Sequence, residues 1–220
     1  MRQFDFYEFA AILAPGTLSL LGLSLAYPGG DVLGRLNNLS VGGLGVVVIL
    51  AYVAGHLTQA IGNFIESLWW KAWSGMPTDW IRTGKSDLLD KAQIDKLNLQ
   101  LQTELALSAP VTVSALSANS WLGLTRQVYA AIAGKKRSAR VDTFNGNYGL
   151  CRGIAAALTI LLCLVLFERS IGQWKVVLAL SAGLLVSLYR MHLFAKHYAR
   201  ELFVQFLQLS HSGGREKEGR

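Results

Sequence analysis

Residues 43–70 read GLGVVVILAYVAGHLTQAIGNFIESLWW, with no acidic, lysine or arginine residue before Glu66. About 20 mostly apolar residues suffice for a helix to cross roughly 30 Å of hydrocarbon, so the run predicts a span from Val41 to about Ile61. Steps of three and four residues place Gly45, Ile49, Tyr52, His56, Gln59, Asn63, Glu66 and Trp70 on one face. That is the 3.5-residue spacing of a seam turned to a partner helix. An adjacent stripe, Ala51, Gly55, Thr58 and Gly62, is uniformly small, and small residues let helix backbones approach closely. Tight packing is expected on the small stripe and polar contact on its neighbour. Because polar groups are costly in hydrocarbon, His56, Gln59 and Asn63 are expected against protein or a water-filled cavity. Three roles stay open for this stripe: hydrogen bonding that sets helix register, a hydrated path within an oligomer, and lipid head-group binding or catalysis.

Three further stretches are apolar enough to span: 9–27, interrupted by Pro15-Gly16, then 150–167 and 174–194. The composition agrees. Of 220 residues, 52% are hydrophobic and only 16% charged, against about 25% charged in an ordinary soluble domain, which excludes a disordered chain. The first stretch does not read as a cleavable leader, because Asp5 and Glu8 stand where a basic region belongs. Of the 21 lysines and arginines, only Arg35, Arg169 and Lys175 fall in the two short loops. The other eighteen share the opposite side, so both termini and the long middle segment are expected in the cytoplasm. This bias accounts for much of the formal charge of +7 and leaves nucleic acid a disfavoured partner. The expected fold is all-α: a transmembrane hairpin over 1–65, a helical cytoplasmic insert over 66–149, a second hairpin over 150–194, and an amphipathic helix with a disordered tail over 195–220.

Within the insert, SDLLDKAQIDKLNLQLQTELAL opens at Ser86, a capping residue type, with Asp87 and Asp90 in the first turn, where the helix dipole favours anions. Ser108-Ala109-Pro110 breaks the run. A second helix is expected from about Val113 to Ala133, ending at Gly134. The polar DTFNGNYG, 142–149, reads as a turn-rich return to the membrane. Along HLFAKHYARELFVQFLQLS the residues Phe194, Tyr198, Leu202, Phe206 and Leu209 form one apolar stripe. That helix is expected to continue the fourth span and to rest on the middle segment, on another subunit or on the membrane surface.

Lys135, Lys136, Arg137 and Arg140 make the densest basic patch. Near a span, its ordinary partners are anionic lipid head groups, and a phosphate-bearing signal is the sharper alternative. Trp69, Trp70, Trp73 and Trp80 are expected as an interfacial aromatic belt. No HExxH, GxSxG or Walker glycine-lysine loop is present. Cys151 and Cys163 form no CxxC pair, and His56, His192, His197 and His211 are dispersed, so neither a metal nor another cofactor is expected. A lipid-directed enzyme would have to draw on His56, Glu66, Glu8 and His192.

Three segments, DFYEFAAILAPG at 5–16, YVAGHLTQAIGNFIE at 52–66 and DTFNGNYGLCRG at 142–153, resemble a family of small bacterial four-span membrane proteins associated with anti-phage defence gene clusters. The resemblance does not extend over 67–140. It implies a non-enzymatic inner-membrane effector or sensor that forms homo-oligomers and works with a cytosolic partner or signal, through a signal-gated channel or another disturbance of the bilayer. Tyr52, Gly55, His56, Gln59, Gly62 and Asn63 would be the matched residues of the second span, and Asn145, Tyr148 and Arg152 those leading into the third. A scaffold that recruits a cytosolic effector is the alternative expectation.

Overall fold

The computed structural model describes residues 8–26, 40–85, 88–107, 109–167 and 173–209, and every regular element among them is helical. A π-helical turn, Glu8–Leu13, runs into α1, Ala14–Ala26. Then come α2, Val41–Ala72, α3, Pro77–Thr83, and α4, Lys91–Glu104. A 3-10 turn, Val113–Ala115, precedes α5, Ala118–Gly134, and the long helices α6, Ala139–Phe167, and α7, Trp174–Leu207, follow. Three helical stretches are long and apolar enough to cross a membrane: the one containing α2, together with α6 and α7. The stretch expected as the first span holds a shorter apolar helix, Ala11–Ser24. Pro15 is the second residue of α1, just after the π-helical turn.

The described residues belong to two compact units, one drawn from Met1–Trp69 and Asn145–Phe194, the other from Trp70–Phe144 and Ala195–Arg220. In the first, α1 lies so close on α2 that a Cβ on Gly16 would stand 1.9 Å from the Ala51 carbonyl oxygen, and one on Gly55 2.2 Å from that of Ile12. Only glycine permits this approach. The Ser19 and Thr58 hydroxyls hydrogen-bond at 2.9 Å across the same contact. Ala155, Ala156 and Ala157 of α6 and Met191 of α7 are also fully buried.

The second unit has its own core of Leu97, Leu101, Val113, Trp121, Val128, Ile132, Val141, Leu202, Phe203, Phe206 and Leu209. Trp121 stacks on Phe203 with centroids 5.3 Å apart and donates its indole N–H to the Thr78 carbonyl at 2.9 Å. The last carbonyls of a helix have no partner within it; here Gln100 donates to that of Phe206 and Arg137 to that of Gln208. The amphipathic stretch after residue 194 thus continues α7 unbroken and buries Leu202, Phe206 and Leu209 of its stripe in this unit.

Several expectations need correction. The polar run 142–149 is not a turn but part of α6, which starts at Ala139. Asp142 in its first turn accepts from the hydroxyls of Ser138 and Tyr129, at 2.8 and 2.7 Å. The cap of α4 is Asp90, which accepts from the Gln93 amide at 2.7 Å, and Gln93 accepts in return from the Asp90 amide at 3.0 Å. The second insert helix begins after Ser117, whose hydroxyl accepts from the Ser120 amide, later than expected, and it ends at Gly134 as expected. Trp70 and Trp80 are buried against each other, 6.1 Å between centroids, and Trp73 is half exposed. Ser86, Asp87, Ser108, the loops 27–39 and 168–172, and the tail from residue 210 lie outside the described residues.

Candidate functional site

Proline at position 15 has no N–H to give to the carbonyl four residues earlier, which is that of Ala11. The donor comes from α2: the Gln59 side-chain amide donates to the Ala11 oxygen and, at 3.1 Å, to the Gly149 carbonyl of α6. The Gln59 carbonyl oxygen accepts in turn from Arg152 Nε at 3.0 Å. Arg152 then pairs through Nη1 with the Glu66 carboxylate, about two turns from Gln59 along α2, and its guanidinium lies 5.8 Å from the buried Tyr148 ring. Both charged side chains are largely enclosed, 14% and 18% exposed. One glutamine therefore ties the π-helical turn, α2 and α6 together, and an ion pair closes the arrangement. A buried pair of this kind is strongly destabilising to break, because each charge left alone has lost its water.

The polar stripe of α2 is thereby divided. Gln59 and Glu66 turn inward with Ala51, Gly55, Thr58 and Gly62, while Tyr52, His56 and Asn63 are exposed. The Tyr52 and His56 rings meet edge to face at 4.7 Å. Gly42 and Gly45 lie further along the same uncovered side; a Cβ on Gly45 would meet nothing within 4 Å. The small stripe carries the expected packing. Arg152, the third member of the centre, escaped the reading of α2 because it stands on α6; a lone arginine beside an apolar run was the available signal.

The basic patch is mostly engaged inside the second unit. Lys135 pairs with Glu104 at 3.3 Å, Arg140 with Glu201 at 3.5 Å, and Arg137 caps α7. Lys136 is exposed with φ of 57°. The basic partners in these pairs are open to solvent while the carboxylates are partly enclosed.

No family model, curated protein or solved structure matches the chain. His56, Glu66 and His192 have separate surroundings: His56 sits beside Tyr52, Glu66 faces Arg152, and His192 accepts at Nδ1 from the Trp69 indole at 3.4 Å.

Proposed function

We propose that the chain is a non-enzymatic, self-assembling component of a bacterial inner membrane, an effector or sensor of anti-phage defence whose uncovered α2 face lines a signal-gated polar path. The observation that carries this reading is the exposure of Tyr52, His56 and Asn63 on a helix apolar enough to span. Histidine and asparagine turned to hydrocarbon are costly. A second copy presenting the same seam supplies their hydrogen-bond partners, and Gly42 and Gly45 allow the close approach. Around an axis of several copies, the same residues face one another across water. The defence role rests on the resemblance of segments 5–16, 52–66 and 142–153. In this reading the π-helical turn with α1 makes a fourth crossing, both termini lie inside, and a cytosolic protein or signal acts on residues 66–149. A scaffold that recruits a cytosolic effector is the second reading, favoured by the separate core of the second unit. A lipid-directed enzyme has less support, since His56, Glu66 and His192 have separate neighbours.

The test is ion flux through liposomes holding the purified full chain, with and without lysate of phage-infected cells. Flux is expected only with lysate, and His56→Leu with Asn63→Leu should abolish it while the chain stays inserted. Both side chains are exposed, so the substitutions leave the Gln59 centre intact. Flux unchanged in the double variant would refute the polar path; no flux from inserted wild type would favour the scaffold.

A further inference from the structure

We propose that Arg190 holds the phosphate of an anionic lipid head group at the inner end of the apolar stretch of α7, an inference that rests on the membrane placement above. Two arginines lie near the inner end of the spans. Arg152 commits its donors to Gln59 and Glu66. Arg190 is exposed and, among the described residues, has no ion pair. Its guanidinium carbon lies 4.7 Å from the centroid of the Phe194 ring, one turn along α7. A guanidinium has five N–H donors arranged in its plane, in a fork that matches two phosphate oxygens. The ring lies against the guanidinium, and among the described residues no carboxylate pairs with its donors. Lysine offers a point charge without the fork.

Depth supports the same ligand. Tryptophan favours the membrane–water boundary, and one stands near each end of the apolar stretch of α7, the first on that helix and the second on α2. Trp174 stands at the start of α7, and His192 accepts from Trp69 near the other end of the apolar stretch. From residue 174 to 192 the helix rises about 27 Å at 1.5 Å per residue, close to the hydrocarbon thickness. Arg190 lies two residues before His192, about 3 Å deeper. Long basic side chains reach from such a depth to the head-group layer while their stems stay apolar. A counter-ion for Arg190 is therefore available from the lipid itself.

The experiment is native mass spectrometry of the full chain released from nanodiscs of equal parts phosphatidylethanolamine and phosphatidylglycerol. Wild type should retain phosphatidylglycerol preferentially. Arg190→Gln should lower that retention by about tenfold, the size of one lost charge-assisted contact, and Phe194→Leu should lower it less. Arg126→Gln, at an exposed residue of α5, should leave it unchanged. Equal retention by wild type and Arg190→Gln, with matching melting temperatures, would overturn the site. Displacement by excess inorganic phosphate would reassign it to a soluble phosphate compound and overturn the lipid. A chain that alkaline carbonate strips from vesicles would instead refute the membrane placement, a result separable from both.

Discussion

Gln59 satisfies three groups at once: the carbonyls of Ala11 and Gly149 and the Nε of Arg152. Each buried polar group left without a partner costs about 1–3 kcal/mol. Gln59→Leu should therefore destabilise the first unit by roughly 3 kcal/mol or more, seen as a lower melting temperature in detergent; an unchanged melt would mean water replaces the amide. The sequence showed Gln59 on a polar seam but not which way it turns. At 100° per residue, taking Tyr52 as origin, Gln59 and Glu66 lie about 20° and 40° toward the small stripe. Asn63 and His56 lie about 20° and 40° away from it. A seam read at 3.5-residue spacing merges these positions, and a few tens of degrees decide which side chains meet α1 and α6. Arg152 could not be assigned as their partner, since its pairing spans 93 positions of sequence.

At the level of the helices, Gly55 and Gly45 make opposite predictions from similar sequence. The atom nearest an added Cβ at Gly55 is backbone, the Ile12 carbonyl oxygen at 2.2 Å, so Gly55→Ala must push α1 away. Overpacking of this kind costs about 1–3 kcal/mol, and the Ser19–Thr58 bond should be lost with it. Within a single copy Gly45→Ala meets nothing, so in the detergent-dispersed monomer it gains up to about 1 kcal/mol of helix propensity. Thermal melts of the two variants should move in opposite directions. The small stripe was legible because side-chain size is a local property. The start of α6 was not, because Asn145, Gly146, Asn147 and Gly149 are poor helix formers, and the packing that overrides them is tertiary: Gly149 offers its carbonyl to Gln59, and Tyr148 is buried. Likewise the cap of α4 fell on Asp90 because its partner Gln93 stands three residues on, as a reciprocal cap requires.

For the whole molecule, the three helical stretches apolar enough to cross a membrane were readable from length and composition, whereas the division into two units was not. It cuts within α2, α6 and α7, whose helical pattern runs on without interruption. The second unit depends on aromatic packing that no periodicity reveals: Trp121 and Phe203 are fully buried face to face, from helices eighty residues apart in sequence. Phe203→Ala should cost about 3–5 kcal/mol and should be felt in this unit first. Limited trypsin digestion would then cut faster at Lys91, Lys96 and Arg126, with the region before Trp69 still protected; uniform acceleration would show that the two units unfold together.

The close seating of α1 on α2 also bears on how the chain is made. The Ser19–Thr58 bond joins residues 39 positions apart, and the surface that receives Gly16 is built by Ala51 and Gly55. When residues 14–26 leave the ribosome, that surface has not yet been synthesised. At about 5–20 residues per second, several seconds pass before it emerges. During that interval a segment of only 13 helical residues must wait at the bilayer surface or in the translocation machinery. Its stable seating is then a second event, triggered by the arrival of α2, and substitutions at Gly55 should leave the amino-terminal segment stranded even when every later helix has inserted.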